Sequence, residues 1–141
     1  EKGKLEQSDA DVVRGRITPT LDYGELADCD LVIEAITEDL DLKLEMWREV
    51  DGIVKDAAFF ATNTSSLSVA EQAAATKRPE RFLGLHFFTP AQVMPLLEVV
   101  KAEATSDEAY ELGFEVGAEL GKTTVAAGDN RGFIVNRLLV P

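Results

Sequence analysis

Three shortages bound what this sequence can be. Cys29 is the only cysteine and His86 the only histidine in 141 residues. An internal disulfide is therefore excluded, Cys29 has no partner for a cysteine-based zinc site, and no metal is expected. A lone thiol is compatible with a reducing compartment, and the cytoplasm is the expected location. Basic residues are also scarce, with 14 Lys and Arg against 26 Asp and Glu and a formal net charge of −12. That sign opposes binding to nucleic acid or to an anionic membrane, so neither is expected as a partner. Long apolar runs are missing too, since none approaches the roughly 18 residues of a membrane span.

What remains is ordinary for a soluble globular domain: 45% hydrophobic and 28% charged residues, in a length that suits one domain with a sizeable core. Neither Glu1, in the polar stretch Glu1 to Lys4, nor Pro141, directly after Leu138-Leu139-Val140, has the look of a natural terminus. The sequence is read as a piece of a longer polypeptide.

Apolar spacing alternates between two patterns along the chain. A charged, helical opening reaches about Arg14, and Ile17 to Thr20 is at most a brief strand because Pro19 interrupts it. Leu31-Val32-Ile33 has the compact apolar form of a buried parallel strand. From about Asp39 to Lys55, Leu40, Leu44, Trp47, Val50 and Val54 recur at spacings of three and four, the stripe of an amphipathic helix. Ala57 to Ala61 reads as the next strand, and a helix follows through Val69 to Ala75. Phe82 to Phe88 is a strand stopped by Thr89-Pro90, and Leu96 to Val100 is another.

A helix is expected from Thr105, with Glu108 completing a capping box, to Gly121, where Gly113, Gly117 and Gly121 supply close packing and a C-cap. Thr123 to Ala126 closes the series as a strand, and a turn at Gly128-Asp129-Asn130 follows. Strands alternating with helices imply an α/β fold with a mainly parallel sheet flanked by helices. Ligands of such sheets sit at the carboxyl ends of the strands. Glu34 to Glu38, Asn63 to Ser66 and His86 to Thr89 all fall there.

His86 is the single candidate for a general base working near neutral pH. It lies near the end of an apolar strand, and Glu98 follows twelve residues later inside Leu96-Leu97-Glu98-Val99-Val100. An imidazole and a carboxylate in apolar strands each need a partner. If the two strands are neighbours, Glu98 fixes the tautomer and leaves the second ring nitrogen free to take a proton. Taken alone, Glu98 reads equally as a solvated edge-strand carboxylate.

Four motifs carry a resemblance: Asn63-Thr64-Ser65-Ser66-Leu67, Gly84-Leu85-His86-Phe87-Phe88-Thr89-Pro90, Leu97-Glu98-Val99-Val100 and Gly132-Phe133-Ile134-Val135-Asn136-Arg137. Together, in this order, they resemble the L-3-hydroxyacyl-CoA dehydrogenase family over nearly the whole chain. The resemblance implies NAD-dependent oxidation of an L-3-hydroxyacyl-CoA to the 3-ketoacyl-CoA, in fatty-acid β-oxidation or its reverse. It makes His86 the catalytic base and Glu98 its orienting carboxylate. Ser65 and Asn136 match residues that contact the reacting oxygen and acyl group, and Glu38, Lys43, Ser65 and Thr89 match positions near the NAD cofactor. By local pattern alone, Ser65 reads as an ST-turn or N-cap hydroxyl, Asn136 as a polar residue in an early helix turn, Glu38 as a helix-start acid and Lys43 as a solvated stem.

The same resemblance divides the chain into residues 1–131, a Rossmann-like NAD-binding domain lacking its first βαβ elements, and residues 132–141, the opening of a helical domain that carries the homodimer interface and part of the acyl-CoA site. No Gly-x-Gly-x-x-Gly loop occurs in the 141 residues, so the chain by itself is expected to bind NAD poorly. Thr89 stands where monofunctional members show asparagine and multifunctional ones can carry a hydroxyl residue. Asn130-Arg131 precedes Gly132 where proline is common. Two alternatives stay open: a dehydrogenase of a small free 3-hydroxy acid, and a non-catalytic, crystallin-like protein of the same fold.

Overall fold

The computed structural model describes residues 6–139. The first part of the expected helical opening, and Val140 and Pro141 of the second expected segment, lie outside those residues. Helix α1 (Gln7–Arg14) leads through irregular chain, without the brief strand expected at Ile17 to Thr20, to a short turn at Tyr23–Leu26. Asp22 starts that turn by accepting a hydrogen bond from the Gly24 amide at 2.8 Å.

Five strands form one sheet in sequence order: β1 (Leu31–Glu34), β2 (Phe59–Thr62), β3 (Phe82–Phe87), β4 (Leu96–Lys101) and β5 (Thr123–Gly128). Three of the four pairings are parallel, and β3 with β4 is antiparallel. Helix α2 (Leu40–Asp51) links β1 to β2, α3 (Val69–Ala73) precedes β3, α4 (Asp107–Glu119) links β4 to β5, and α5 (Val135–Leu139) follows β5. This is the mainly parallel, helix-flanked sheet that the alternation of elements predicts, in the Rossmann-like form that the resemblance implies.

Period-two alternation in the central strands fills both faces of the sheet. Phe60, Phe82 and Val100 point to one side, where Trp47 and Val50 of α2 and Val69 and Ala73 of α3 complete the core. The Trp47 ring lies 5.0 Å from Phe60 and 4.8 Å from Phe82, and its indole N–H donates to Gln72 at 3.1 Å. Leu83, Leu85, Leu97 and Val99 point to the other side, against Tyr110, Phe114 and Val116 of α4. The close approach of α4 depends on its glycines: a Cβ on Gly117 would lie 2.2 Å from Thr124 Cγ2, and one on Gly113 would lie 2.6 Å from Val99 Cγ1. Gly121, at φ +67°, takes the left-handed conformation that ends the helix.

Two local expectations are corrected. The cap of α4 is Ser106, whose side chain accepts from the Ala109 amide at 3.1 Å, because Thr105 is used elsewhere. Thr105 Oγ1 accepts from the Ala102 amide and donates to the Phe82 carbonyl at 2.7 Å, pinning the chain to β3. Strand β1 is parallel as expected, but its apolar residues Leu31, Val32 and Ile33 are not buried. It is the sheet edge among the described residues, and Ile33 is 41% exposed. An apolar groove of about 290 Å³ runs beside it, lined by Tyr23, Leu26, Leu31, Ile33 and Ile36 among others. No helix among the described residues is long and apolar enough to cross a membrane.

Candidate active site

The antiparallel step in the sheet makes the site. After β3 the chain turns at Thr89-Pro90, a cis peptide bond, and returns as β4, so that His86 and Glu98 become direct register partners. His86 Nδ1 and Glu98 Oε2 lie 2.5 Å apart. A carboxylate can only accept, so Nδ1 is the donor, and in the neutral ring Nε2 presents a lone pair. His86 is 5% exposed and Glu98 fully buried. Phe88 and Phe133 flank the imidazole, with ring centroids at 4.5 and 5.6 Å. The reading of Glu98 as a solvated edge carboxylate is excluded by this burial.

The second oxygen of Glu98 accepts from the backbone amides of Ile134 and Val135, both at 3.0 Å. That contact holds the start of α5 against β4 and brings Asn136 into the site. Asn136 is in the first turn of α5, and its Nδ2 donates to the Ser65 carbonyl at 3.2 Å. Ser65 is neither the cap of α3 nor part of an ST-turn built on its own hydroxyl. Ser68 caps α3, accepting from Glu71 N at 3.2 Å. Ser65 Oγ instead donates to Glu38 Oε1 at 2.9 Å, and the Ser65 amide and Thr64 hydroxyl donate to the same oxygen, each at 2.7 Å.

Burial pushes the Glu38 carboxyl up, but the hydrogen bonds from Thr64 and Ser65 and the charge of Lys43 outweigh it and hold the group below the usual carboxylate range. Lys43 is no solvated stem: it is 1% exposed, with Nζ 2.5 Å from Glu34 Oε1 and 3.5 Å from Glu38 Oε2. Its position follows from helix geometry. Asp39 caps α2 through the Leu42 amide, which turns Lys43 toward the end of β1. Glu34 is itself saturated, taking the Ile36 amide at 2.7 Å and the Thr62 hydroxyl at 2.6 Å.

One chain of contacts thus joins His86, Glu98, the backbone before Asn136, Asn136, Ser65, Glu38 and Lys43. Thr89 stands outside it, exposed and without a side-chain hydrogen bond among the described residues. Sequence reasoning assigned no individual role to three residues that support this arrangement. Asn63 accepts from the Phe87 amide at 2.8 Å and ties the end of β2 to the residue after His86. Thr62 buttresses Glu34. Asp129, read only as part of a turn, accepts from the Val69 and Ala70 amides at 2.9 and 2.7 Å and fastens the end of β5 to α3. An acid beside a glycine at a strand end was the available signal for Asp129.

A helix-covered, mainly parallel sheet with polar side chains at its carboxyl ends and a carboxylate-held imidazole beside them defines a Rossmann-type domain. Comparison with known proteins makes the family definite. The family described as 3-hydroxyacyl-CoA dehydrogenase, NAD binding domain, matches residues 1–130, and the chain belongs to it. The fatty acid oxidation complex subunit alpha of Psychrobacter cryohalolentis is 42% identical over 141 residues, which are 100% of this chain and 20% of that protein. A 3-hydroxybutyryl-CoA dehydrogenase of Clostridioides difficile is 38% identical over 140 residues, 99% of this chain and 50% of that protein. The crystal structure of FadB2 from M. tuberculosis superposes with a TM-score of 0.95 at 45% identity, covering 99% of this chain and 50% of that one. The chain therefore spans between a fifth and a half of the length of these relatives.

Proposed function

We propose that this chain is the catalytic part of the NAD-binding domain of an enzyme that oxidises an L-3-hydroxyacyl-CoA to the 3-ketoacyl-CoA. The buried His86–Glu98 pair carries the reading. Nε2 of His86 accepts the proton of the 3-hydroxyl, and Glu98 holds the ring and balances the imidazolium that forms. Ser65 and Asn136, linked to each other beside the pair, hold the reacting oxygen and the acyl group as charge redistributes.

The residues present suit the nicotinamide half of NAD. Glu38 keeps a part-exposed carboxylate oxygen at the strand ends, an acceptor for hydroxyl or amide donors, with Lys43 and Ser65 against it, while Thr89 is exposed just after the end of β3. When bound, NAD supplies the hydride acceptor. The glycine-rich cradle for the pyrophosphate is not in this sequence. Residues 1–131 form the cofactor-binding unit, and residues from 132 open a helical domain that completes the acyl-CoA site and a homodimer. Exposure of Leu138 and Leu139 on α5, at 80% and 73%, supports a further packing partner there. We place the enzyme in the cytoplasm, with no role for nucleic acid or membrane.

In the full-length polypeptide, His86→Ala is expected to lower kcat by on the order of 10²–10⁴-fold while acyl-CoA binding stays close to the parent's. An unchanged kcat overturns the assignment. The assay, read at the nicotinamide absorbance, is run with 3-hydroxybutyryl-CoA against free 3-hydroxybutyrate. Faster turnover of the free acid replaces the thioester by a small hydroxy acid as substrate.

A further inference from the structure

We propose that Phe133, together with the two backbone amides that follow it, is a positioning residue for His86, so that the turn entering α5 sets how the imidazole is held. The inference rests on His86 being the base. Glu98 divides its oxygens between two tasks: Oε2 meets His86 at 2.5 Å, and Oε1 takes the amides of Ile134 and Val135 at 3.0 Å each. Those amides point at Glu98 because the chain reverses through two left-handed residues, Gly132 at φ +77° and Phe133 at φ +47°.

Glycine adopts such a conformation freely, whereas an aromatic residue does so rarely. The site gains from this conformation a ring that is 4% exposed, with its centroid 5.6 Å from the imidazole at a 55° tilt. Phe133 therefore shields the base while the amides behind it draw charge from the orienting carboxylate. The base is held from both sides of one turn.

The surrounding charges leave Glu98 as the ionic contact of the imidazole among the described residues. The end of β2 offers the neutral Thr62 and Asn63, and α5 offers Asn136 bonded to Ser65. Glu34, Glu38 and Lys43 pair with one another, and Arg131 and Arg137 beside the turn are exposed. Releasing the turn thus has one electrostatic direction. Glu98 loses two donors, so its charge falls more fully on the ring, and without the Phe133 side chain the imidazole is less desolvated; both changes favour the imidazolium.

The test uses the full-length polypeptide, with kcat/KM for 3-hydroxybutyryl-CoA and saturating NAD measured against pH. Phe133→Gly, which frees the turn and removes the ring, is expected to move the acid limb to higher pH by about half a unit or more. Phe133→Leu, which keeps apolar volume, moves it the same way by less, with kcat reduced and the acyl-CoA KM retained. An acid limb that stays in place or moves down, in whichever variant shows a cooperative thermal transition, overturns the proposal. His86→Ala is measured alongside. Parental kcat in that variant removes the base itself, a failure distinct from an unmoved limb in the Phe133 variants.

Discussion

Single side chains in this protein act through shared oxygens. Glu98 serves both the imidazole and α5, and Glu38 Oε1 takes three donors at once. Replacing Glu98 by Gln keeps the volume and removes the charge, so the acid limb of the pH–rate profile is expected to move to lower pH and kcat to fall by on the order of 10²-fold or more. A profile that superposes on the parent's contradicts the pairing. Lys43→Met leaves Glu34 buried without its cation, a loss of about 3–5 kcal/mol read as a lower urea midpoint. The double variant Glu34→Gln with Lys43→Met recovers part of it; no recovery means that the pair is not the cause.

Glu38 gives a pH dependence with a definite sign. Its carboxyl is depressed in the folded chain, so its contribution to stability is full above the ordinary carboxylate range and fades as pH falls through the lowered value. The stability difference between the parent and Glu38→Gln, followed by urea unfolding from neutral to acid pH, therefore shrinks on acidification, and a flat difference contradicts it. Of these residues, His86 and Glu98 were legible as a pair because both are polar in apolar strands. Lys43 was not, since a lysine four residues after a helix cap reads as a solvated stem until its burial is known.

At the scale of elements, the glycines of α4 are the clearest case of pattern becoming packing. Gly117→Ala puts a methyl 2.2 Å from Thr124 Cγ2 and 3.1 Å from Leu97 Cδ2, so α4 or β5 must shift. A loss of about 1–3 kcal/mol is expected in chemical denaturation, and Gly121→Ala, with nothing near its Cβ but a left-handed φ, is destabilised through its backbone. A Gly117→Ala protein as stable as the parent rules out the tight crossing. Spacing located α2, β3, β4 and α4 because each has a full apolar period. It misplaced the α4 cap by one residue, because Thr105 and Ser106 are both good caps and only the contact with the Phe82 carbonyl decides which one is free.

The whole molecule joins a buried imidazole–carboxylate pair to a carboxylate at the strand ends, and its sequence has no Gly-x-Gly-x-x-Gly loop. Titration of the 141-residue chain with NAD in a calorimeter is therefore expected to show no saturable binding at micromolar concentration, whereas the full-length polypeptide binds. Micromolar binding by the chain alone contradicts the division of labour proposed here. The exposed face of β1 and the apolar groove beside it belong to the same scale. A compact apolar strand reads as buried from its sequence, and whether a neighbour covers it is a property of the surrounding chain.

The sequence by itself determined the α/β alternation, the resemblance carried by its four motifs and the candidacy of His86 and Glu98 as partners, because these depend on periodicities and residue types that are local in the chain. Tertiary structure alone decided that β4 runs against β3, which places Glu98 opposite His86, and that the turn at Phe133 returns two amides to the same carboxylate. Both outcomes join positions far apart in the chain, and their energies come from burial and strand register, which no local pattern encodes.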